Sequence, residues 1–126
     1  MASAPRPLPA WLTITTGRAP AVVDGRACRT RAAFFAEVAR VLRLPGYFGH
    51  NWDALTDSLR DIGNVHLVVE HAEDLLAAEP AEQFATLLAV LAGAAGEAGT
   101  AGLTLTLCTD PANEAPLRRR LTDALP

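Results

Sequence analysis

The chain reads as a small α/β domain: a three-stranded parallel sheet packed with helices, with a fourth strand available from the N-terminal arm. Three observations predict it. Short β-branched or alternating segments recur at Ala21–Val23, Val65–Glu70 and Leu103–Cys108. Between them lie longer stretches whose apolar residues repeat at helical spacing. Strands that alternate with helices pair in parallel through right-handed crossovers. At 126 residues, half of them hydrophobic, the chain suits one domain with a modest core.

The elements follow in order. Residues 1–20 form an N-terminal extension rich in proline and small residues, of which the first ten read as a flexible arm. Within it, Trp11–Thr15 reads either as a short strand or as an extended cover over apolar surface. Ala21–Val23 runs into Asp24-Gly25, a strand ending in a turn. Thr30 is an N-cap for a helix whose apolar residues are Phe34, Val38, Val41 and Leu42. Leu44-Pro45-Gly46 ends that helix, because the residue before proline is driven out of helical geometry. Asn51 caps a second helix, Asn51–Ile62, closed by Gly63-Asn64.

Val65–Glu70 is the next strand, with β-branched residues at alternate positions. A short helix is expected over Ala72–Ala78. Pro80 opens a longer one, Pro80–Ala98, with Phe84, Leu87, Leu88 and Leu91 inward. Leu103–Cys108 alternates Leu and Thr as a half-covered strand does. The segment 111–126 is a C-terminal extension, helical over Asn113–Leu125. The division is therefore 1–20, 21–110 and 111–126.

Composition excludes several classes of function. A net charge of −3 argues against a general nucleic-acid binder. All eleven basic residues are arginine. Cys28 and Cys108 are too few for a disulfide framework and read as two buried thiols in a reducing cytoplasm. The N-terminus has prolines where a signal peptide needs an apolar core, and the longest apolar run, Phe84–Gly96, is too short to span a bilayer. A cytoplasmic protein without a membrane segment is expected.

The second helix carries the informative pattern. Turning at about 100° per residue from Trp52, the side chains of Leu55, Leu59 and Ile62 fall near 300°, 340° and 280°. Asp53, Asp57 and Asp61 fall near 100°, 140° and 180°, opposite that apolar stripe. A polar outer face is ordinary for a surface helix. Like charges four residues apart nevertheless cost a few tenths of a kcal/mol per pair. Asp53 complements the helix N-terminus, while Asp57 and Asp61 have only Arg60 nearby to offset them.

Charge along the chain sharpens the point. Residues 1–49 carry +5, residues 50–82 carry −7 and residues 83–126 carry −1. An acidic block centred on a well-formed helix suits a surface that meets a cationic partner.

The stretch LPGYFGHNWDALTDSLRDI resembles the signature of the barstar family, intracellular inhibitors of secreted ribonucleases. The match includes Pro45, Tyr47, Phe48, Gly49, Asn51, Asp53, Ala54, Leu55 and Asp57 in fixed register. A weaker resemblance runs from about Ala21 to Cys108. The family implies a three-stranded parallel sheet with helices and an inhibitor of secreted or toxin-like ribonucleases. A ribonuclease active site binds a phosphodiester and is lined with cationic groups. By resemblance, Asp57 sits where the phosphate binds and Asp53 pairs with a neighbouring base of the enzyme. Tyr47 and the loop Gly49–Asn51 pack around a catalytic histidine, and Trp52 adds an edge contact.

Read on their own residues, several of these positions have plainer roles. Tyr47 is equally a core tyrosine, Trp52 is partly buried by its place on the apolar stripe, and Asn51 is first an N-cap. His50 is either a rim residue or a solvated loop histidine. The family's best-studied member has a tryptophan where this chain has Thr56, and a glutamate that register places near Ala95. Both departures leave the identity of the target ribonuclease open. The runner-up reading keeps the fold and gives it a different basic protein as partner.

Other groupings carry less. His66 and Glu70 share one strand face and His71 the other, poor geometry for a metal. Asp53 and Asp57 as a catalytic pair need a concave site with one raised pKa, and a convex helix offers neither. No enzyme activity, metal or cofactor is expected. Arg118–Arg120 reads as a solvated run, or as a patch for nucleic acid, an acidic partner or the protein's own acidic surface.

Overall fold

The computed structural model describes residues 9, 21–97 and 103–125. Three parallel strands, β1 (Ala21–Asp24), β2 (Val65–Glu70) and β3 (Leu103–Leu107), form one sheet with β2 in the middle. Register sets Val22 beside Val68 and Val68 beside Thr106, so each strand's alternation falls on common faces. Val23, Leu67 and Val69 point to the buried side. His66, Glu70, Thr104 and Thr106 lie exposed on the other. The proposed strand or cover at Trp11–Thr15 lies outside the described residues.

Four helices complete the fold: α1 (Arg31–Val41), α2 (Trp52–Ile62), α3 (Ala81–Glu97) and α4 (Pro111–Ala124). Helix α1 packs on β1, α3 on β3, α2 on α3, and α4 on α3. Helices α1 and α2 cap as their sequence predicts. Thr30 Oγ1 accepts from Ala33 N at 3.2 Å, and Asn51 Oδ1 accepts from Ala54 N at 2.8 Å. At the end of α1, Leu44 N donates to Ala39 O and Arg43 N to Arg40 O, a Schellman closure with Arg43 left-handed at φ 53°. Gly63 closes α2 at φ 78°.

The core joins Phe34, Phe35 and Val38 of α1 to Leu55 and Leu59 of α2, the inner face of the sheet, and Phe84, Leu87, Leu88 and Leu91 of α3. Among the described residues no helix is long and apolar enough to cross a membrane.

Several expectations need correcting. The short helix over Ala72–Ala78 is a 3-10 turn, Ala72–Asp74, followed by turns. His71 at φ 49° and Leu76 at φ 53° bracket it in left-handed geometry, which cannot propagate a right-handed helix. Helix α4 starts at Pro111 rather than Asn113, since proline loses no hydrogen bond in a first helical turn. Cys28 is buried, but Cys108 is exposed. Cys108 lies just past β3, on the parity of Thr104 and Thr106, and only its backbone is engaged, with Val69 and Ala72.

The arginine run is not one solvated face. Arg118 pairs with Glu114 at 3.1 Å. Arg120 turns inward and sets its guanidinium 3.9 Å over the Phe84 ring. Burial there lowers its pKa, and its Nη1 is buried without a hydrogen-bond partner.

Candidate functional site: an acidic helix and its capping loop

The acidic face of α2 is held from behind. Leu55 and Leu59 are buried, and Trp52 and Ile62 are partly covered, as the apolar stripe requires. The Trp52 ring sits 4.8 Å from Phe35, edge on at 65°, and 5.9 Å from Phe34. Its indole N–H donates to Gln83 Oε1 at 3.2 Å, tying the first turn of α2 to the first turn of α3. Turned the other way, Asp53, Asp57 and Asp61 are exposed. Asp57 keeps 76% of its side chain in solvent, and its contact with Arg60, 3.9 Å, is at the outer limit of a salt bridge.

The preceding loop is fixed at two points. Phe48 is buried and packs 6.2 Å from Phe35, anchoring the loop to α1. Asn51 does double duty: its Oδ1 caps α2, and its Nδ2 donates to Gly49 O at 3.1 Å. A Cβ on Gly49 would stand 2.9 Å from Asn51 Nδ2, so a larger residue there would push the Asn51 side chain out of that clamp. His50, at φ 51°, lies exposed with its ring 5.1 Å from Phe48.

Just before the Phe48 anchor, Tyr47 projects outward, 89% exposed. Of its two sequence readings, the structure excludes the core tyrosine. Thr56 is half-buried and spends its hydroxyl inside the helix, donating to Trp52 O at 2.9 Å. The surface thus gathers Tyr47, Gly49, His50, Asn51, Asp53 and Asp57 at one loop-to-helix junction. Trp52 and Thr56 contribute only their partly exposed sides.

The convex helix gives Asp53 and Asp57 no shared enclosure of the kind a catalytic carboxylate pair needs. The histidines on and just after β2 have partners elsewhere: His66 Nε2 meets Thr106 Oγ1 at 3.2 Å, and His71 lies 3.8 Å from Glu73.

Sequence reasoning missed a cavity of about 670 Å³ where α1 and α2 both end, lined by Leu44, Phe48 and Ile62 together with Arg43, Asp61 and His66. No sequence signal marks it, because it is made by two helix ends and the start of β2 meeting in space.

Among known proteins, one family profile, described as Barstar (barnase inhibitor), matches residues 18–109. No curated relative matches the chain. The match spans both the parallel sheet and the capped acidic helix, and the chain therefore belongs to the Barstar (barnase inhibitor) family.

Proposed function

We propose that this protein inhibits a ribonuclease by filling its cationic active site with the acidic face of α2, in imitation of RNA phosphate. One observation carries the reading: Asp53 and Asp57 stand in solvent on a helix whose opposite face is locked into the core. Carboxylates at fixed positions make strong charge-assisted bonds to the arginine, lysine and histidine groups that such an active site needs. Asp57 takes the phosphate position, and Asp53 pairs with a neighbouring base. Tyr47 and the loop Gly49–Asn51 close around a catalytic histidine and exclude water from the charge pairs. His50 sits at the rim, and Trp52 and Thr56 meet the enzyme at the edge. The chain acts as an inhibitor rather than an enzyme, works in the cytoplasm, and protects its cell from a secreted or toxin-like ribonuclease.

The test is direct. Mixing the protein with a panel of secreted and toxin-like ribonucleases should abolish RNA cleavage by at least one of them at near-equimolar ratio. Asp57→Ala should remove that inhibition without unfolding the domain. Full cleavage by every enzyme in the panel would refute the reading.

One observation favours a second reading, a binding module for a different basic protein. Where the family's best-studied member presents a large aromatic, this chain has the smaller Thr56, half-buried with its hydroxyl donating to Trp52 O of its own helix. Co-purification of a basic protein without ribonuclease activity, combined with no inhibition of RNA cleavage, selects this alternative.

A further inference from the structure

The cover over the inner face of the sheet thins out at β3. On β2, Val65, Leu67 and Val69 are buried, but their register partners Leu103, Leu105 and Leu107 are only half-buried. Strand β3 is also an edge, paired with β2 alone. Its outward backbone groups follow from one residue. Cys108 donates its N–H to Val69 O and accepts from Ala72 N, so its backbone faces β2. Backbone groups alternate sides along a strand, so those of Thr104 and Thr106 face β2 as well. The N–H and C=O groups of Leu103, Leu105 and Leu107 therefore point to the open edge. Among the described residues nothing hydrogen-bonds to them.

Edge strands usually carry a charge or a proline that discourages further pairing. Strand β3, Leu-Thr-Leu-Thr-Leu, has neither, and it reads the same in both directions. Antiparallel pairing with a second copy, centred on Leu105, sets Leu103 opposite Leu107, Leu105 opposite Leu105 and Thr104 opposite Thr106. Opposed residues point to the same side of a sheet, so leucine meets leucine on the half-covered face and threonine meets threonine on the exposed one. In that register all three outward N–H groups and all three outward C=O groups of each chain gain partners. No like charges are brought together. The strand is uncharged, and the two copies of Asp110 fall at opposite ends of the ladder.

The geometry points to β3 as a self-association edge, through which two copies of this chain join their sheets into one of six strands about a two-fold axis. The occupant follows from the symmetry: this edge is its own complement, as a two-fold interface must be. Charge agrees, since the chain carries −3 overall and only an uncharged strand lets two copies meet there without repulsion. Five residues a side bury less than the roughly 1,200 Å² at which standard interfaces begin, so the dimer is weak and forms as concentration rises. Helix α2 packs on α3, and α3 on β3, so Asp53 and Asp57 take no part in the pairing.

Sedimentation velocity of the full chain, from about 1 μM to about 1 mM, should show a monomer–dimer equilibrium with a Kd on the order of 100 μM. Over the same range, hydrogen exchange should slow at the amides of Leu103, Leu105 and Leu107. The amides of Thr104 and Thr106, already bonded to β2, should not change. Two double variants test the register. Thr104→Lys with Thr106→Lys sets like charges opposite each other and should weaken dimerisation about tenfold or more. Thr104→Lys with Thr106→Glu sets opposite charges there and should dimerise at least as well as the wild type. Both positions are exposed, and circular dichroism checks that each variant is folded. A wild-type chain still monomeric at the top of the range, protection that builds up in other segments instead, or equal dimerisation by the two folded variants would each overturn the pairing. The wild-type exchange measurement decides the matter even if a variant fails to fold.

Discussion

The indole N–H of Trp52 donates to the side-chain oxygen of Gln83, 31 residues on, and so joins the starts of α2 and α3. The bond fixes the rotation of α2 about its axis at the turn that carries Asp53. Trp52→Phe keeps a ring against Phe34 and Phe35 but loses the donor. It should destabilise the protein by about 1 kcal/mol, the usual net worth of one partly buried hydrogen bond. Urea denaturation of the variant, with Gln83→Ala as the partner change, would measure it. The double change should cost little more than either alone, because both remove the same bond.

Charge at the two ends of the acid row should count unequally. Asp57→Ala should weaken ribonuclease binding by about 3 kcal/mol, in the range of a central charged anchor, whereas Asp61→Ala should cost about 1 kcal/mol. Stopped-flow association in rising salt should show the wild-type on-rate falling steeply, as expected when exposed charges steer the encounter. An on-rate indifferent to salt would contradict an acidic docking surface.

Gly25 closes the turn after β1 against another backbone. A Cβ there would lie 2.1 Å from the His71 carbonyl oxygen, far inside contact distance. Gly25→Ala should therefore force the two turns apart and destabilise the fold by about 3 kcal/mol or more. Thermal unfolding provides the measurement.

Arg43 holds a left-handed conformation that glycine adopts without a steric penalty. Arg43→Gly should stabilise the protein by about 0.5 kcal/mol, the relief at the helix end slightly exceeding the entropy that glycine adds to the unfolded chain. A loss of stability would mean that the cation's interaction with the end of α1 outweighs the backbone strain.

Glu73 introduces a pH dependence. The Thr109 hydroxyl donates to its carboxylate at 2.6 Å and holds its pKa below the usual glutamate value. A carboxyl whose pKa is depressed by folding stabilises the native state above its unfolded pKa, and that contribution disappears as pH falls through the folded value. Wild type should therefore exceed Glu73→Gln in stability at neutral pH, with the gap narrowing below about pH 4.5. Parallel denaturation curves across that range would show it.

Much of this was legible in the sequence, for local reasons. The period of Trp52, Leu55, Leu59 and Ile62 predicts which face of α2 is buried, and so which face its aspartates present. Thr30 and Asn51 announce their helices because a short polar side chain before an apolar period has one obvious use. The segment after His71 reads as helix by composition, but two left-handed residues break it, and no residue type there advertises that geometry. Tyr47 was undecided from sequence because the choice between core and surface depends on Phe48 taking the inward place beside Phe35. Arg120 looks like its exposed neighbours, and only the position of Phe84 on α3 gives it an inward partner. The cavity beside Asp61 depends on three elements meeting, which local pattern does not encode.

Asn51 begins a helix with one end of its side chain and grips the preceding loop with the other. Loop and helix are thereby assembled before any partner arrives. Little configurational entropy is then lost on docking, so the free and bound forms of this surface should be nearly superimposable.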